Sequence, residues 1–276
     1  MPSDNFQTKD GLTLYTEYAL PQGDPKAVVL LVHGYGEHCG RYQHVIARLT
    51  ASGYAVYTLD HRGHGKSEGV RAYCDYMGQF VEDLKIYFDH VKASQPGKKL
   101  FVLGHSMGAL ISLAFTERYQ SEMDALAISG APVNLDANVS PALVWLGKVL
   151  THLTPKMNLL PSSGAGILSR DPEIDIAWED DPLTNKKPMR VRLGVEMNNM
   201  ARDVRDHLAD LRLPLLIMHG TEDKLVNPSG SQLAYDKASS ADKTLKLYPG
   251  MRHEIMNEIG KEAVLDEIVL WFDHHL

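Results

Sequence analysis

A serine lies at the centre of a short glycine-flanked segment, GHSMG at residues 104–108. The apolar run at 100–103 precedes it and a helical pattern at 107–119 follows it, so a strand is predicted to turn directly into a helix. Such a nucleophile elbow holds the hydroxyl of Ser106 clear of the sheet at the carboxyl end of the strand. The helix N-terminus behind it offers unpaired N–H groups to a developing oxyanion. The pattern predicts nucleophilic catalysis by Ser106.

A serine hydroxyl is a weak nucleophile at neutral pH, so it needs a base, and the base needs an orienting carboxylate. Two late apolar runs are predicted strands, and each ends in a loop that carries a candidate side chain. The first loop holds Asp223, beside Glu222, and spacing alone does not separate these two carboxylates. The second loop holds His253, the candidate base. The chain order Ser106, Asp223, His253 is the order used by α/β-hydrolase folds.

An HGYG segment at residues 33–36 follows the apolar run at 27–32. A loop of this type supplies the second oxyanion donor in such hydrolases. We therefore expect the oxyanion to be bound by the backbone N–H groups of Tyr35 and Met107. One such donor typically contributes about 2.7–4 kcal/mol of transition-state stabilisation.

The remaining histidines are weaker candidates for catalysis. His33 and His219 each lie at a strand end before a glycine, where a packed structural role is favoured. A metal site built from His33, His38, His61 and His64 is disfavoured, because no ligand spacing on one helix supports it. We expect neither a metal nor a cofactor.

Composition excludes several other classes of function. The 276 residues include 28 Lys and Arg against 35 Asp and Glu, a formal charge of −7 that disfavours nucleic-acid binding. The first ten residues lack the apolar centre of a signal peptide, and no run approaches the ~20 apolar residues of a membrane span. We expect a soluble cytoplasmic protein whose membrane contact, if any, is peripheral.

Short apolar runs alternate with helical patterns, which predicts an α/β fold with a mostly parallel eight-stranded sheet covered by helices on both faces. The predicted strands are 27–32, 54–59, 100–103, 125–128, 215–218 and 244–247, with 12–18 as an antiparallel edge. The predicted helices of this alternating part are 41–51, 77–91, 107–119 and 261–274.

The alternation stops between about residues 135 and 204. This stretch contains an apolar helix at 141–153, a Pro/Ser/Gly-rich segment at 155–166, an acidic loop at 171–181 and a helix at 191–206. The simplest interpretation is a cap at 135–205, inserted between two parts of a hydrolase core at 1–134 and 206–276.

The first cap helix is apolar over a wider arc than burial of one face requires. It is either buried on two sides or in contact with acyl chains and a membrane surface. No basic face accompanies it, so we expect any docking to be apolar rather than driven by anionic lipid. The apolar residues are Leu143, Val144, Trp145, Leu146, Val149, Leu150 and Leu153.

Five segments carry a family resemblance: HGYGEHCGRY at 33–42, DHRGHGKSEG at 60–69, GHSMG at 104–108, DPL at 181–183 and HGTEDKLV at 219–226. With them the chain resembles the serine α/β-hydrolases of the monoacylglycerol lipase and lysophospholipase family over nearly its whole length. The resemblance implies cleavage of monoacylglycerols into glycerol and fatty acid without a cofactor. It also assigns catalysis to Ser106, Asp223 and His253.

The resemblance further places Glu37 and Arg41 near the glycerol end of the substrate, although a local salt bridge that stiffens the loop is an equal alternative. By rough alignment, Trp178 corresponds to a cap tyrosine of animal monoacylglycerol lipases. Val226 stands where those enzymes have a cysteine, and Met256 where they have a second histidine. These differences concern recognition of the head group rather than the ester chemistry.

Other functions remain open from the residues. Another serine hydrolase, such as a lysophospholipase or a general short- or medium-chain carboxylesterase, would use the same three side chains. A catalytically silent binding protein on this fold is disfavoured, because such proteins usually lose a triad member and none is missing here.

Overall fold

The computed structural model describes residues 1–135, 141–160 and 166–276, with no side-chain detail at 141–144 and 160. Its strands are β1 (Ser3–Gln7), β2 (Thr13–Ala19), β3 (Val28–Val32), β4 (Ala55–Leu59), β5 (Leu100–His105), β6 (Ala125–Ser129), β7 (Asn158–Leu160), β8 (Met189–Arg190), β9 (Leu215–Gly220) and β10 (Lys243–Tyr248). Its α-helices are α1 (Gln43–Ala51), α2 (Gly78–Ser94), α3 (Met107–Tyr119), α4 (Pro141–Leu153), α5 (Pro172–Asp180), α6 (Val191–His207), α7 (Ser229–Lys237) and α8 (Lys261–Asp273).

Eight strands form the central sheet, in the order β1-β2-β4-β3-β5-β6-β9-β10. The pairs β1–β2 and β2–β4 are antiparallel, and all others are parallel. The predicted fold class, a mostly parallel eight-stranded α/β sheet, is confirmed. β1 was not predicted; it pairs only with β2 at the sheet edge, and its residues are mostly exposed.

The central strands are apolar because helices cover both sides of the sheet. Every residue of β3, β4 and β6 is buried. Successive side chains of β3 point alternately into the two cores. Leu30 and Val32 pack on the side of α2 and α3, whereas Val29 and Leu31 pack on the side of α1 and α8. The absence of clean polar alternation in these runs follows from this double burial.

The stretch between β6 and β9 contains α4, β7, α5, β8 and α6. The short strands β7 and β8 pair antiparallel in a separate two-stranded ribbon. Cap boundaries at 135 and 205 stay a prediction. Residues 136–140 and 161–165 of this stretch lie outside the described residues.

The acidic segment at 171–181 was predicted to be a loop, and this was wrong, because it contains α5. The Asp171 side chain accepts a hydrogen bond from the Glu173 N–H, and Pro172 occupies the first helical turn. Both are strong helix-start signals, and acidic residues in that turn favour the positive end of the helix dipole. Helix α7, after the β9 loop, was also not predicted.

No helix of the described part of the chain combines the length and the apolarity that crossing a bilayer requires.

The start of α3 lies against the end of β3 at a distance that only glycine permits. A Cβ atom at Gly108 would lie 2.2 Å from the carbonyl oxygen of Val32 and 2.4 Å from that of His33. Both atoms belong to backbone and cannot turn aside. This contact fixes the elbow at Ser106 relative to the loop that begins at His33.

We predict that Gly108→Ala destabilises the protein by about 1–3 kcal/mol, the usual cost of overpacking, because α3 must move away from β3. Urea unfolding measures the loss. Gly147→Ala is the matched control, because Gly147 is also helical and a Cβ atom added there would lie 3.3 Å from a methyl group of Val195, which is a side chain and not backbone. Equal stability of the Gly108 variant and the native chain would contradict the prediction.

Candidate active site

Ser106 lies between β5 and α3 in a backbone conformation that residues other than glycine rarely adopt. Its φ is +53° and its ψ is −119°. Such strain costs of order 1–3 kcal/mol and persists only where the surroundings hold it. The Ser106 N–H donates to the Ser129 carbonyl at 2.8 Å, and the Ser106 carbonyl accepts from the Leu110 N–H at 3.1 Å. The predicted strand–turn–helix elbow is therefore present.

The ends of β5, β9 and β10 bring three side chains into one hydrogen-bonded chain. The Ser106 hydroxyl lies 2.9 Å from Nε2 of His253, and Nδ1 of His253 lies 2.6 Å from Oδ2 of Asp223. A carboxylate only accepts, so the Nδ1–H group donates to Asp223 and Nε2 is free to accept the serine proton. This is the arrangement expected of nucleophile, base and orienter. Glu222 is exposed and makes no bond to His253 among the described contacts.

Asp223 is itself held from several sides. Its Oδ1 accepts from the N–H groups of Leu225 at 2.8 Å and Val226 at 2.9 Å. Its Oδ2 also lies 2.9 Å from Nε2 of His219, whose Nδ1 lies 2.6 Å from the Ser231 hydroxyl. The second imidazole leaves the carboxylate no freedom to rotate. The predicted structural role of His219 thus takes a specific form, the anchoring of Asp223.

The electrostatics of the pair follow from burial and contact. Burial opposes a charge on His253, but the Asp223 carboxylate and its hydrogen bond outweigh it, so the pKa of His253 is raised above its ordinary value. Glu254 and Glu37 act in the same direction. Burial likewise disfavours charge on Asp223, yet its two histidine partners hold the pKa of Asp223 below its ordinary value. The carboxylate stays ionised and ready to stabilise an imidazolium.

The expected oxyanion donors lie on the two backbones that Gly108 brings together. Neither the Tyr35 N–H nor the Met107 N–H donates to a protein acceptor within the described residues. The loop before Tyr35 is fixed by histidines: Nε2 of His33 accepts from the His61 N–H at 3.0 Å, and Nδ1 of His33 lies 2.8 Å from the Gly34 carbonyl. Burial lowers the pKa of His33 and of His61, the latter to about 3, so both rings are neutral.

Glu37 and Arg41 form a buried ion cluster with Glu254. Arg41 donates to Glu37 at 2.9 Å and to both oxygens of Glu254 at 2.8 and 2.9 Å. Glu37 also accepts from the Gly34 N–H and the Tyr42 hydroxyl, each at 2.6 Å. The local salt bridge that was one of two predictions for Glu37 and Arg41 is present. It ties the oxyanion loop to the residue that follows His253.

The two carboxylates of this cluster differ in their proton affinity. Burial raises the pKa of Glu37, although Arg41 partly offsets this effect. Burial acts on Glu254 in the same sense, but the two-point contact with Arg41 outweighs it and lowers the pKa of Glu254 to about 2. Glu254 therefore keeps its negative charge next to His253.

Ser106 and His253 open into a cavity of about 580 Å³ between the core and the stretch that was predicted to be a cap. Glu37, Glu254 and Trp178 also line it, whereas Arg41 does not. The rest of the lining is mostly apolar and includes Leu146, Leu150, Leu159, Leu168, Met189, Val191, Val195, Met197, Leu225 and Val226.

Sequence reasoning missed two members of this site. Glu254 could have been found from its position beside the candidate base, since an adjacent acid affects that base wherever its loop turns. The contact between His219 and Asp223 had a weaker signal, because their four-residue spacing spans a loop rather than a helix turn. Met256 is buried in the core on the side of α1 and α8, and it does not line the cavity.

Comparison with known proteins shows the family of the chain. The sequence profile of the family described as serine aminopeptidase, S33, matches residues 23–260. Monoacylglycerol lipase of Mycolicibacterium smegmatis is 38% identical over 99% of this chain and 97% of its own. Monoglyceride lipase of Mus musculus is 34% identical over 97% of this chain and 89% of its own. The chain belongs to the monoacylglycerol lipase family of serine α/β-hydrolases.

The crystal structure of Paleococcus ferrophilus monoacylglycerol lipase superposes on this hydrolase with a TM-score of 0.85. The two share 28% identity, and the match covers 95% of this chain and 99% of that one. The hydrolase thus shares the fold of a solved lipase over nearly its whole length. It is a serine ester hydrolase.

The pH dependence of this hydrolase tests the assignment of its base. A base must be neutral, so activity is lost as pH falls through the raised pKa of His253. Asp223→Asn removes the carboxylate charge that raises this pKa, so the acidic limb of kcat/KM should shift to lower pH. We expect kcat to fall by roughly 10⁴-fold as well, because the imidazole loses its orienter.

Glu222→Gln is the matched control, because it neutralises the neighbouring exposed carboxylate. Its pH profile on a water-soluble ester should superpose on that of the native chain. An acidic limb that moves with Glu222 and not with Asp223 would reverse the assignment of the orienting acid.

Proposed function

We propose that this hydrolase cleaves monoacylglycerols into glycerol and a free fatty acid through an acyl-enzyme on Ser106. The observation that carries the proposal is the hydrogen-bonded chain from Asp223 through His253 to Ser106, opening into one predominantly apolar cavity. The names of the relatives support the same substrate class. The volume of the cavity, about 580 Å³, lies within the range of small-ligand sites.

Acylation begins when Oγ of Ser106 attacks the ester carbonyl carbon while Nε2 of His253 takes the serine proton. The carbonyl oxygen becomes an oxyanion and accepts hydrogen bonds from the N–H groups of Tyr35 and Met107. Asp223 stabilises the imidazolium that forms without taking its proton. The intermediate collapses as His253 donates the proton to the glycerol oxygen, which leaves.

Deacylation repeats these steps with water. His253 takes a proton from the water as its oxygen attacks the acyl carbonyl carbon. The second tetrahedral intermediate breaks its bond to Oγ of Ser106, which recovers its proton from His253 and releases the fatty acid. Bonds and charges balance with no cofactor or metal in the cycle.

We propose that the apolar part of the cavity takes the acyl chain and that the polar lining takes the glycerol. The polar side chains of the lining include Glu37, Glu254, Lys148, Asn198 and Asn199, and Trp178 also lines the cavity. Glu37 spends its oxygens on Gly34, Tyr42 and Arg41, so its main role is to hold the oxyanion loop. Glu254 likewise accepts from Arg41 and Asn257, but it keeps its negative charge at the cavity wall, where it can accept a further hydrogen bond from a glycerol hydroxyl.

The stretch at 135–205 acts in this proposal as a cap that contacts lipid. The α4 side chains Trp145, Leu146 and Leu153 are 66%, 43% and 72% exposed. Leu146 also lines the cavity, so the helix is apolar towards both the substrate and the outside. We propose that this outer side rests on the membrane surface from which substrate enters.

A hydrolysis panel tests the substrate class. We expect turnover of monoacylglycerols above that of lysophospholipids and simple short esters, and little turnover of diacylglycerols and triacylglycerols, because one cavity suits one acyl chain. Ser106→Ala should abolish all of it while leaving the unfolding transition unchanged. Faster turnover of lysophospholipids or of simple esters would contradict the proposed substrate class. Absence of labelling of Ser106 by a fluorophosphonate would favour a binding protein without catalytic activity.

The acyl assignment makes a separate prediction about chain length. Val195 of α6 lines the cavity beside Gly147 of α4, and a bulkier side chain at 195 would shorten the cavity. Val195→Trp should lower kcat/KM for a long-chain monoacylglycerol by at least tenfold while sparing a short-chain ester, since the reacting atoms are untouched. Val195→Ala is the control that keeps the space open. Equal loss for both chain lengths would place the acyl chain elsewhere.

A further inference from the structure

The ribbon of β7 and β8 has two faces of opposite character. Leu159 and Met189 line the large cavity, whereas Asn158 and Arg190 line a second, smaller one. Asn158 and Arg190 are paired across the two strands. Because successive strand residues point to opposite faces, the ribbon is a wall between an apolar cavity and a polar cleft.

The cleft, of about 270 Å³, collects positive charge from separate parts of the chain. Arg71, Lys186, Lys187 and Arg190 line it, and no carboxylate is among its lining residues. None of the four forms an ion pair within the described residues. The whole chain carries a formal charge of −7, so this local excess of cations stands out against the rest of the molecule.

The two arginines are held by backbone carbonyls, which keep them in place without neutralising them. Arg71 donates to the carbonyls of Gly65 at 3.0 Å and Leu183 at 3.1 Å. Arg190 donates to the carbonyl of Arg71 at 2.9 Å and to that of Lys156 at 2.5 Å. A guanidinium has five N–H donors, so each retains donors for an anion. Fixed guanidinium groups suit the oxygens of a phosphate.

Exposed apolar side chains lie on the opposite face of the same ribbon. Met157 and Leu159 flank Asn158 in the sequence and are 40% and 47% exposed. A phosphate bound among cations next to apolar side chains matches the boundary between lipid head groups and acyl chains. A free anion would not require the apolar neighbours.

We propose that this cleft binds the phosphate of an anionic phospholipid and so sets the hydrolase on a negatively charged membrane surface. The inference rests on the proposed function, because it places the acyl cavity, which shares the β7–β8 wall, at the surface where its substrate would reside. The sequence expectation of purely apolar docking considered the α4 helix alone. Lys186, Lys187 and Arg190 lie within the predicted cap stretch, and the fold brings Arg71 to them from the core part of the chain.

The cleft also touches the oxyanion loop. Asn185 lines it, donates from its side chain to the Tyr35 hydroxyl at 2.8 Å, and donates its N–H to the Gly36 carbonyl at 2.7 Å. A head group in the cleft therefore contacts the residue that braces this loop.

Co-sedimentation with vesicles tests the proposal, using vesicles of phosphatidylcholine alone or of an equal mixture with phosphatidylglycerol. All chains carry Ser106→Ala so that no lipid is hydrolysed. We expect binding to the anionic vesicles that weakens at high salt. Lys186→Glu with Lys187→Glu should weaken it by roughly thirtyfold or more, given the contribution of each basic residue near an anionic surface.

Arg118→Glu with Lys237→Glu is the matched control for net charge. These residues lie in the last turns of α3 and α7, helices that begin at the active-site edge of the sheet and run away from it. The control should bind anionic vesicles like the parent. Lys186→Arg with Lys187→Arg should also bind like the parent, and melting temperatures verify that each variant folds.

Three results would overturn the proposal: equal binding to both kinds of vesicle, equal weakening by the control pair, or binding of inorganic phosphate at the cleft with no preference for anionic vesicles. The last would identify a free-phosphate site. Monoacylglycerol hydrolysis is measured separately on chains with Ser106 intact. A catalytic failure therefore bears on the proposed function alone, and a vesicle failure on the membrane site alone.

Discussion

The hydrogen bonds that join Asp223, His253 and Ser106 require three loops to meet within bonding distance at one edge of the sheet. A parallel sheet meets this requirement because the carboxyl ends of its strands share that edge. Ser106 directly follows β5, and Asp223 and His253 lie in the loops that follow β9 and β10. The positive φ at Ser106 adds a strained turn that the surrounding packing must hold. Gly108 allows this packing by bringing α3 against the end of β3.

Buried polar groups hold the loops around this chain. A buried polar group without a hydrogen-bond partner would lower the stability of the fold. Each group that is paired therefore restricts the conformation of its loop. His219 anchors Asp223, and His33 and His61 brace the oxyanion loop as neutral rings. The cluster of Glu37, Arg41 and Glu254 ties that loop to the segment after His253. One set of contacts therefore positions the expected oxyanion donors and raises the pKa of the candidate base.

The β7–β8 ribbon separates the apolar cavity from the cationic cleft. Two short paired strands present apolar side chains to the large cavity and polar ones to the cationic cleft. In the two proposals together, the acyl chain and the lipid head group bind on the two sides of one strand pair. The exposed apolar side chains of α4 would contact the same membrane.

The strand–turn–helix elbow at Ser106, the order of the three candidate residues and the α/β class could all be predicted from the sequence alone. These depend on local turn chemistry and on apolar runs that need no partner to be recognised. Helix α5 was missed although Asp171 and Pro172 signal its start, because the acidic composition of the segment favoured a loop. Glu254 has a signal in the sequence, its place beside the candidate base, but its ion pair with Arg41 joins residues 213 positions apart and has none. The choice of Asp223 over Glu222 as partner of His253 came from the folded chain, which also brings Arg71 to the cations at 186–190. Both outcomes depend on where side chains point in space, which residue spacing does not encode.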